Sequence, residues 1–218
     1  MKPFLPFVLL VVSALRAAAV SFSYAPTPAD LNDLDHHSAY TWRIDNINLG
    51  GGAITGASLT FNHIANWDPN PNILFIHLFD TARYSGVSSF IDSPSDSGMA
   101  DNFAGTLLAS NPLIASGTGN TFLTSRSFTM TPTTFTYNFT AAQLIALRSY
   151  IAHGGNIAFG LDPDCHFFNN GVTFTMTVPE GGTTACLLGL TMIAVCFAHR
   201  KLVPAVSSRS SRAPHSIS

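Results

Sequence analysis

The stretch GLDPDCHFFNNG, Gly160 to Gly171, sets two aspartates, a cysteine, a histidine and two asparagines between two apolar, strand-like runs. Two other stretches are similarly rich in ligand-type groups: Asp33, Asp35, His36 and His37 in one, Asn66, Asp68, Asn70 and Asn72 in the other. Asp-x-Asp spacing puts both carboxylates on one side of an extended chain, and loops of this kind suit the many-oxygen coordination of calcium. One expectation is therefore a structural calcium site built from Asp33, Asp35, Asp162 and Asp164. The competing expectation is a set of Asx-turns, in which the same side chains accept from nearby backbone N–H groups.

A catalytic centre is harder to assemble. His36, His37, His166 and Asp164 could ligate a zinc ion and leave one position open. Yet there is no His-Glu-x-x-His, and no Glu between Val20 and Thr177 to serve as the usual general base. Cys165 and His166 are adjacent, so on an extended chain they point to opposite faces and cannot pair as nucleophile and base. No Gly-x-Ser-x-Gly is present. Glycoside hydrolysis needs two carboxylates in unlike environments, and nothing in the sequence sets one Asp apart. Trp42 and Trp67, each beside polar neighbours, are candidate platforms for stacking a sugar ring.

The elements that must position these groups read as strands. Seven runs alternate apolar and polar residues and are rich in β-branched and aromatic types: 39–49, 57–64, 73–80, 121–130, 134–140, 156–162 and 171–178. The Ser/Gly/Asp-rich stretch Ser85–Gly105 reads as one long loop. TAAQLIALRSYIAHGG alone fits a helix, with Thr140 and Gln143 as a capping box and Gly154 at the C-cap. The predicted fold is all-β, a jelly-roll-like β-sandwich with one short helix over residues 20–177. In a jelly roll the first and last strands are often neighbours, which would bring the Asp33 and Asp162 stretches together.

Charge narrows the partners. From Val20 to Thr177 there are eleven Asp, no Glu, no Lys and four Arg, a net charge of about −7. Nucleic acid, which is held through clustered Lys and Arg, is excluded as a partner. Cys165 is the only cysteine outside the C-terminal apolar run, so the domain has no disulfide.

Both ends read as addresses. Lys2, the apolar run Phe4–Leu15 and Ala17-Ala18-Ala19 form a secretory signal peptide over 1–19. At the other end, an apolar run from Ala185 to Ala198 is followed by His199, Arg200 and Lys201. That pattern predicts a transmembrane helix with a cytoplasmic C-terminus, and 202–218 reads as a disordered basic tail.

Val178-Pro179-Glu180-Gly181-Gly182, the apolar run and the basic stop together resemble the PEP-CTERM sorting signal of Gram-negative bacteria. That resemblance covers Val178 to Lys201. It implies export, recognition of the five motif residues by an exosortase-type membrane protease, and passage through the inner membrane to the cell surface. The chain departs from the family in its continuing tail. The stretches DLDHHSAYTW, NWDPNPNILFIHLFD, the FTAAQL at the start of the helix and FGLDPDCHFFNNGVTFT, which cover most of residues 33–177, resemble a β-sandwich ectodomain, without assigned activity, common among PEP-CTERM proteins. The expectation is a non-catalytic exported protein of the cell surface or extracellular matrix, with exopolysaccharide as its ligand. The alternative is a secreted metal-dependent hydrolase acting on envelope polysaccharide.

Overall fold

The computed structural model describes residues 19–50, 52–92 and 100–179. The N-terminal apolar run, Glu180, Gly181, Gly182, the C-terminal apolar run and the 202–218 tail lie outside the described residues.

Ten strands are described: β1 (Ala19–Tyr24), β2 (Ser38–Ile44), β3 (Gly56–Asn66), β4 (Ile73–Phe79), β5 (Gly86–Ile91), β6 (Asn120–Ser127), β7 (Thr133–Asn138), β8 (Ile157–Pro163), β9 (Phe167–Phe168) and β10 (Val172–Pro179). They form two five-stranded antiparallel sheets, a β-sandwich. The first runs β1-β10-β3-β7 with β9 added to β3; the second runs β5-β2-β8-β4-β6. All seven runs with strand periodicity are strands.

Alternation explains which face each strand buries. Along β10, Val172, Phe174, Met176 and Val178 point inward while Thr173, Thr175 and Thr177 point out. On β3, Ala57, Leu59 and Phe61 are buried and Ser58 and Thr60 face outward. Inside, Phe174 meets Phe159 at 4.9 Å and Phe139 at 5.9 Å between ring centroids. β8 is buried at every residue, because the main core lies on one face and a second apolar cluster on the other. That second cluster includes Ala39, Phe79, Phe103, Ile114 and Ala158. Gly160 is needed there: a Cβ would stand 2.6 Å from the Phe79 ring and 3.0 Å from Phe103.

Two helices are described rather than the one expected. α1 (Gly105–Ser110) is short; α2 (Ala141–Gly154) is the expected one, with both halves of the Thr140–Gln143 capping box formed. Its C-cap is Gly155, at φ +67°, not Gly154. The Arg148 guanidinium donates to the Ile54 carbonyl and so holds α2 against the segment before β3.

Three further differences have physical causes. The stretch read as one loop contains β5, an edge strand whose serines hide its periodicity; β2 supplies the hydrogen-bond partner that makes it a strand. β9 is too short to carry a period. The domain also exceeds its predicted bounds. β1 begins at Ala19 and pairs with β10 through Pro179, so Val178 and Pro179, the first two residues of the expected sorting motif, lie in the last strand. Val178 is 3% exposed.

Candidate ligand-binding groove

The three polar stretches meet at one end of the sandwich. Phe167 N–H donates to the Leu34 carbonyl, and Trp67 N–H donates to the His166 carbonyl. Asn169 donates from its backbone to the Asp33 carboxylate at 3.3 Å and from its amide to the Asp30 carbonyl at 2.8 Å. The first and third stretches therefore touch and the second joins them, but not because the first and last predicted strands are neighbours: β2 pairs with β5 and β8 in one sheet, β10 with β1 and β3 in the other.

Within this end the side chains close turns. Asp30 accepts from Asn32 N–H, Asp35 from His37 N–H, Asp68 from Asn70 N–H and Asn169 from Gly171 N–H, each two residues on. These are Asx-turns, in which a short side chain replaces a backbone acceptor. The four aspartates expected to share calcium have separate partners: Asp33 binds Asn169, Asp35 binds His37, Asp162 binds Asn102 and Asp164 binds Ile73 N–H. Among the described residues no group of three or more His, Cys, Asp or Glu is placed to hold a metal ion. That covers His36, His37, His166 and Asp164 as well. The His36 and His37 rings lie 3.8 Å apart. His36 Nδ1 is 3.1 Å from Asp35 Oδ1 but is not aligned for a hydrogen bond. Burial pushes the Cys165 thiol up, which makes it a poor nucleophile.

A buried polar cluster lies beneath the segment that covers β8. Asp162, 2% exposed, accepts from the Asn102 backbone N–H. The Asn102 amide also reaches the Asp92 carboxylate at 3.0 Å. Desolvation raises the Asp162 carboxyl to about 7, against the pull of the Asn102 hydrogen bonds and with the charges of Asp101 and Asp92 adding to the rise. His77 sits between Asp101 (2.8 Å) and Asn120 (2.9 Å) and packs on Phe79, Phe103 and Phe122. Asp164 is raised to about 6, again chiefly by desolvation.

The open feature at the polar end is a groove of about 360 Å³ lined by His63, Trp67, Met130, Pro132, Phe168 and Asn170, with Ala65 and Asn66 at its base. Trp67 is 54% exposed, Met130 56% and Phe168 48%, so three large apolar side chains stand in water around one depression. Their mounting is rigid. Ala65 and Asn66 pair with Phe168 and Phe167, and the buried Asn66 amide bonds the Asn70 carbonyl and the Asn72 side chain. His63 sits where the β3–β7 register shifts, at φ +49°, a left-handed conformation uncommon outside glycine. An irregularity of this kind re-aims side chains at a sheet's rim. The described lining carries no Asp, Glu, Lys or Arg.

Of the two tryptophans expected to stack sugars, only Trp67 is free to do so. Trp42 is 3% exposed and packs on Phe159 at 5.5 Å, because it lies on the inward face of β2. Phe168, Met130 and His63 were not anticipated as site residues. One signal existed for Phe168: adjacent phenylalanines on a strand must face opposite ways, so with Phe167 in the core its neighbour is outside. Comparison with protein-family models, curated proteins and solved structures finds no match to this chain.

Proposed function

We propose that the sandwich is the ligand-binding domain of an exported, non-catalytic surface protein, and that it binds polysaccharide at the Trp67–Phe168 groove. The observation that carries this reading is a pair of exposed aromatic rings set around a groove lined by no Asp, Glu, Lys or Arg. A sugar ring offers an apolar C–H face to an aromatic ring and hydroxyls to flanking amides, here Asn170, and to His63. The polar stretches support a scaffolding role, since Asp35 and Asp68 close turns and Asp164 ties its segment to Ile73 at the start of β4.

The rest of the reading comes from sequence. A signal peptide directs export; the C-terminal apolar run anchors the chain in the inner membrane; and the PEP-CTERM-like motif Val178–Gly182 hands it to an exosortase-type protease on the way to the surface or extracellular matrix. The strand orders β1-β10-β3-β7 and β2-β8-β4-β6, with β5 as an extra edge, support a jelly roll as the sandwich type.

The test is polysaccharide binding by the purified protein and by Trp67→Ala. Loss of the exposed ring is expected to weaken binding about tenfold or more while leaving the melting temperature unchanged. Binding that survives Trp67→Ala at full strength refutes the groove.

A further inference from the structure

We infer that the ligand held at the groove is an uncharged, extended polysaccharide, and that its chain continues from Trp67 along the outer face of the β1-β10-β3-β7 sheet. This rests on the groove being a glycan site and adds the ligand's charge, its length and its path.

Charge is the first observation. The five strands of this sheet contain no Asp, Glu, Lys or Arg, although the domain carries eleven Asp and four Arg. The other sheet is different: Arg43, Arg126 and Asp162 all lie on its strands. A domain with a net charge of about −7 repels a polyanion at long range. The uncharged sheet offers no ion pair to offset that repulsion.

The second observation is what the face presents. Ser58 pairs with Asn138 and Thr175, and Thr60 pairs with Thr136 and Thr173, so hydroxyls and an amide stand in rows across three strands. Thr60 and Thr136 are within 3.0 Å of each other. Alternate residues on a strand recur every ~7 Å and neighbouring strands lie ~5 Å apart, giving a regular lattice of small polar groups. None is a large apolar anchor of the kind that dominates protein–protein interfaces. A hydroxyl that leaves water for a sugar hydroxyl exchanges like for like, so each contact contributes little net free energy. Such a face can hold only a ligand that makes many contacts at once, a polymer rather than a single sugar.

Continuity is the third observation. Asn62 is the last outward residue of β3 before the irregularity, and its backbone bonds Asn170 and Gly171. Asn170 lines the groove. The hydroxyl rows on β3 therefore lead through Asn62 to the strand position bonded to Asn170 at the groove, and β3 from Gly56 to Asn62 offers ~20 Å of track.

The test uses the full chain in detergent with four probes: cellotetraose, hydroxyethylcellulose, alginate as a polyanion and chitosan as a polycation. Binding is measured at low and high salt for wild type, Trp67→Ala, Thr175→Arg and Thr136→Val, with near-ultraviolet circular dichroism to confirm the fold. The expected result is salt-insensitive binding of hydroxyethylcellulose, weaker binding of cellotetraose and no preference for alginate. Thr175→Arg should weaken polymer binding about tenfold and leave the tetrasaccharide unchanged; Thr136→Val should shift it in the same direction by less. Polymer binding unchanged in Thr175→Arg overturns the path, while Trp67→Ala without effect overturns the groove reading itself. Tighter binding of alginate or chitosan than of the neutral polymer overturns the ligand class. Glycan-independent dimerisation abolished by Thr175→Arg assigns the face to a second copy of the chain and overturns the proposal.

Discussion

Asp162 makes stability depend on pH in a direction opposite to that of most carboxylates. Its side chain is 2% exposed under the segment covering β8, and desolvation lifts its carboxyl from 3.8 to about 7. A group whose folded pKa lies above its unfolded one contributes its stability fully below the unfolded value and loses it as pH rises through the folded value. The window here is therefore about pH 4 to about pH 7. A shift of about three pH units corresponds to ~4 kcal/mol, and water penetration when the charge forms lowers the realised value to ~2–4 kcal/mol. That is a large share of the ~5–15 kcal/mol typical of a domain. Asp162→Asn keeps the shape and one acceptor for Asn102 N–H but cannot ionise. The assay is urea unfolding followed by tryptophan fluorescence at pH 4, 6 and 8 for both proteins, because the difference between them cancels every other titrating group. The variant is expected to be close to wild type or weaker at pH 4 and to gain ~2–4 kcal/mol relative to it by pH 8. A difference between the two proteins that stays constant from pH 4 to pH 8 refutes the reasoning.

Trp42→Ala removes a core ring packed on Phe159 and should cost about 3–5 kcal/mol, read by chemical unfolding, in contrast to the silent Trp67→Ala. Gly160→Ala drives a methyl into the Phe79 and Phe103 rings and should cost about 1–3 kcal/mol, since packed aromatics can yield only by leaving their rotamers. Chelation addresses the calcium expectation. With Asp33, Asp35, Asp162 and Asp164 bonded to four different partners, EDTA should leave the melting temperature unchanged. A fall on EDTA that calcium restores would show that these carboxylates rearrange around an ion.

Much of the fold was legible because strands announce themselves by period two. TFTMTV and SLTF bury every second residue and place Thr or Ser between, and this pattern survives whatever the sheet order is. The α2 cap was legible for a similar reason: Thr140 and Gln143 satisfy each other locally. β5 and β9 were not, because their hydrogen-bond partners lie on distant strands and their own residues carry too little pattern. The site was half legible. The polar stretches were identified, but their chemistry depends on which neighbours fold brings near. Asp33 and Asp162 look alike in sequence; one caps a turn at the rim, while the other is buried beside Asn102 and Asp92.

By itself the sequence determined the β class and the charge, because composition and local period do not depend on long-range contacts. Tertiary structure decided everything that depends on exposure. It put Trp42 in the core and Trp67 in water, set Phe168 and Met130 beside Trp67 from chain positions far apart, and confined the strands that carry Asp or Arg (β2, β6 and β8) to one sheet. The physical reason is that a side chain's environment is set by which strand pairs with which, and in this sandwich the pairings join residues as distant as Ala19 and Pro179.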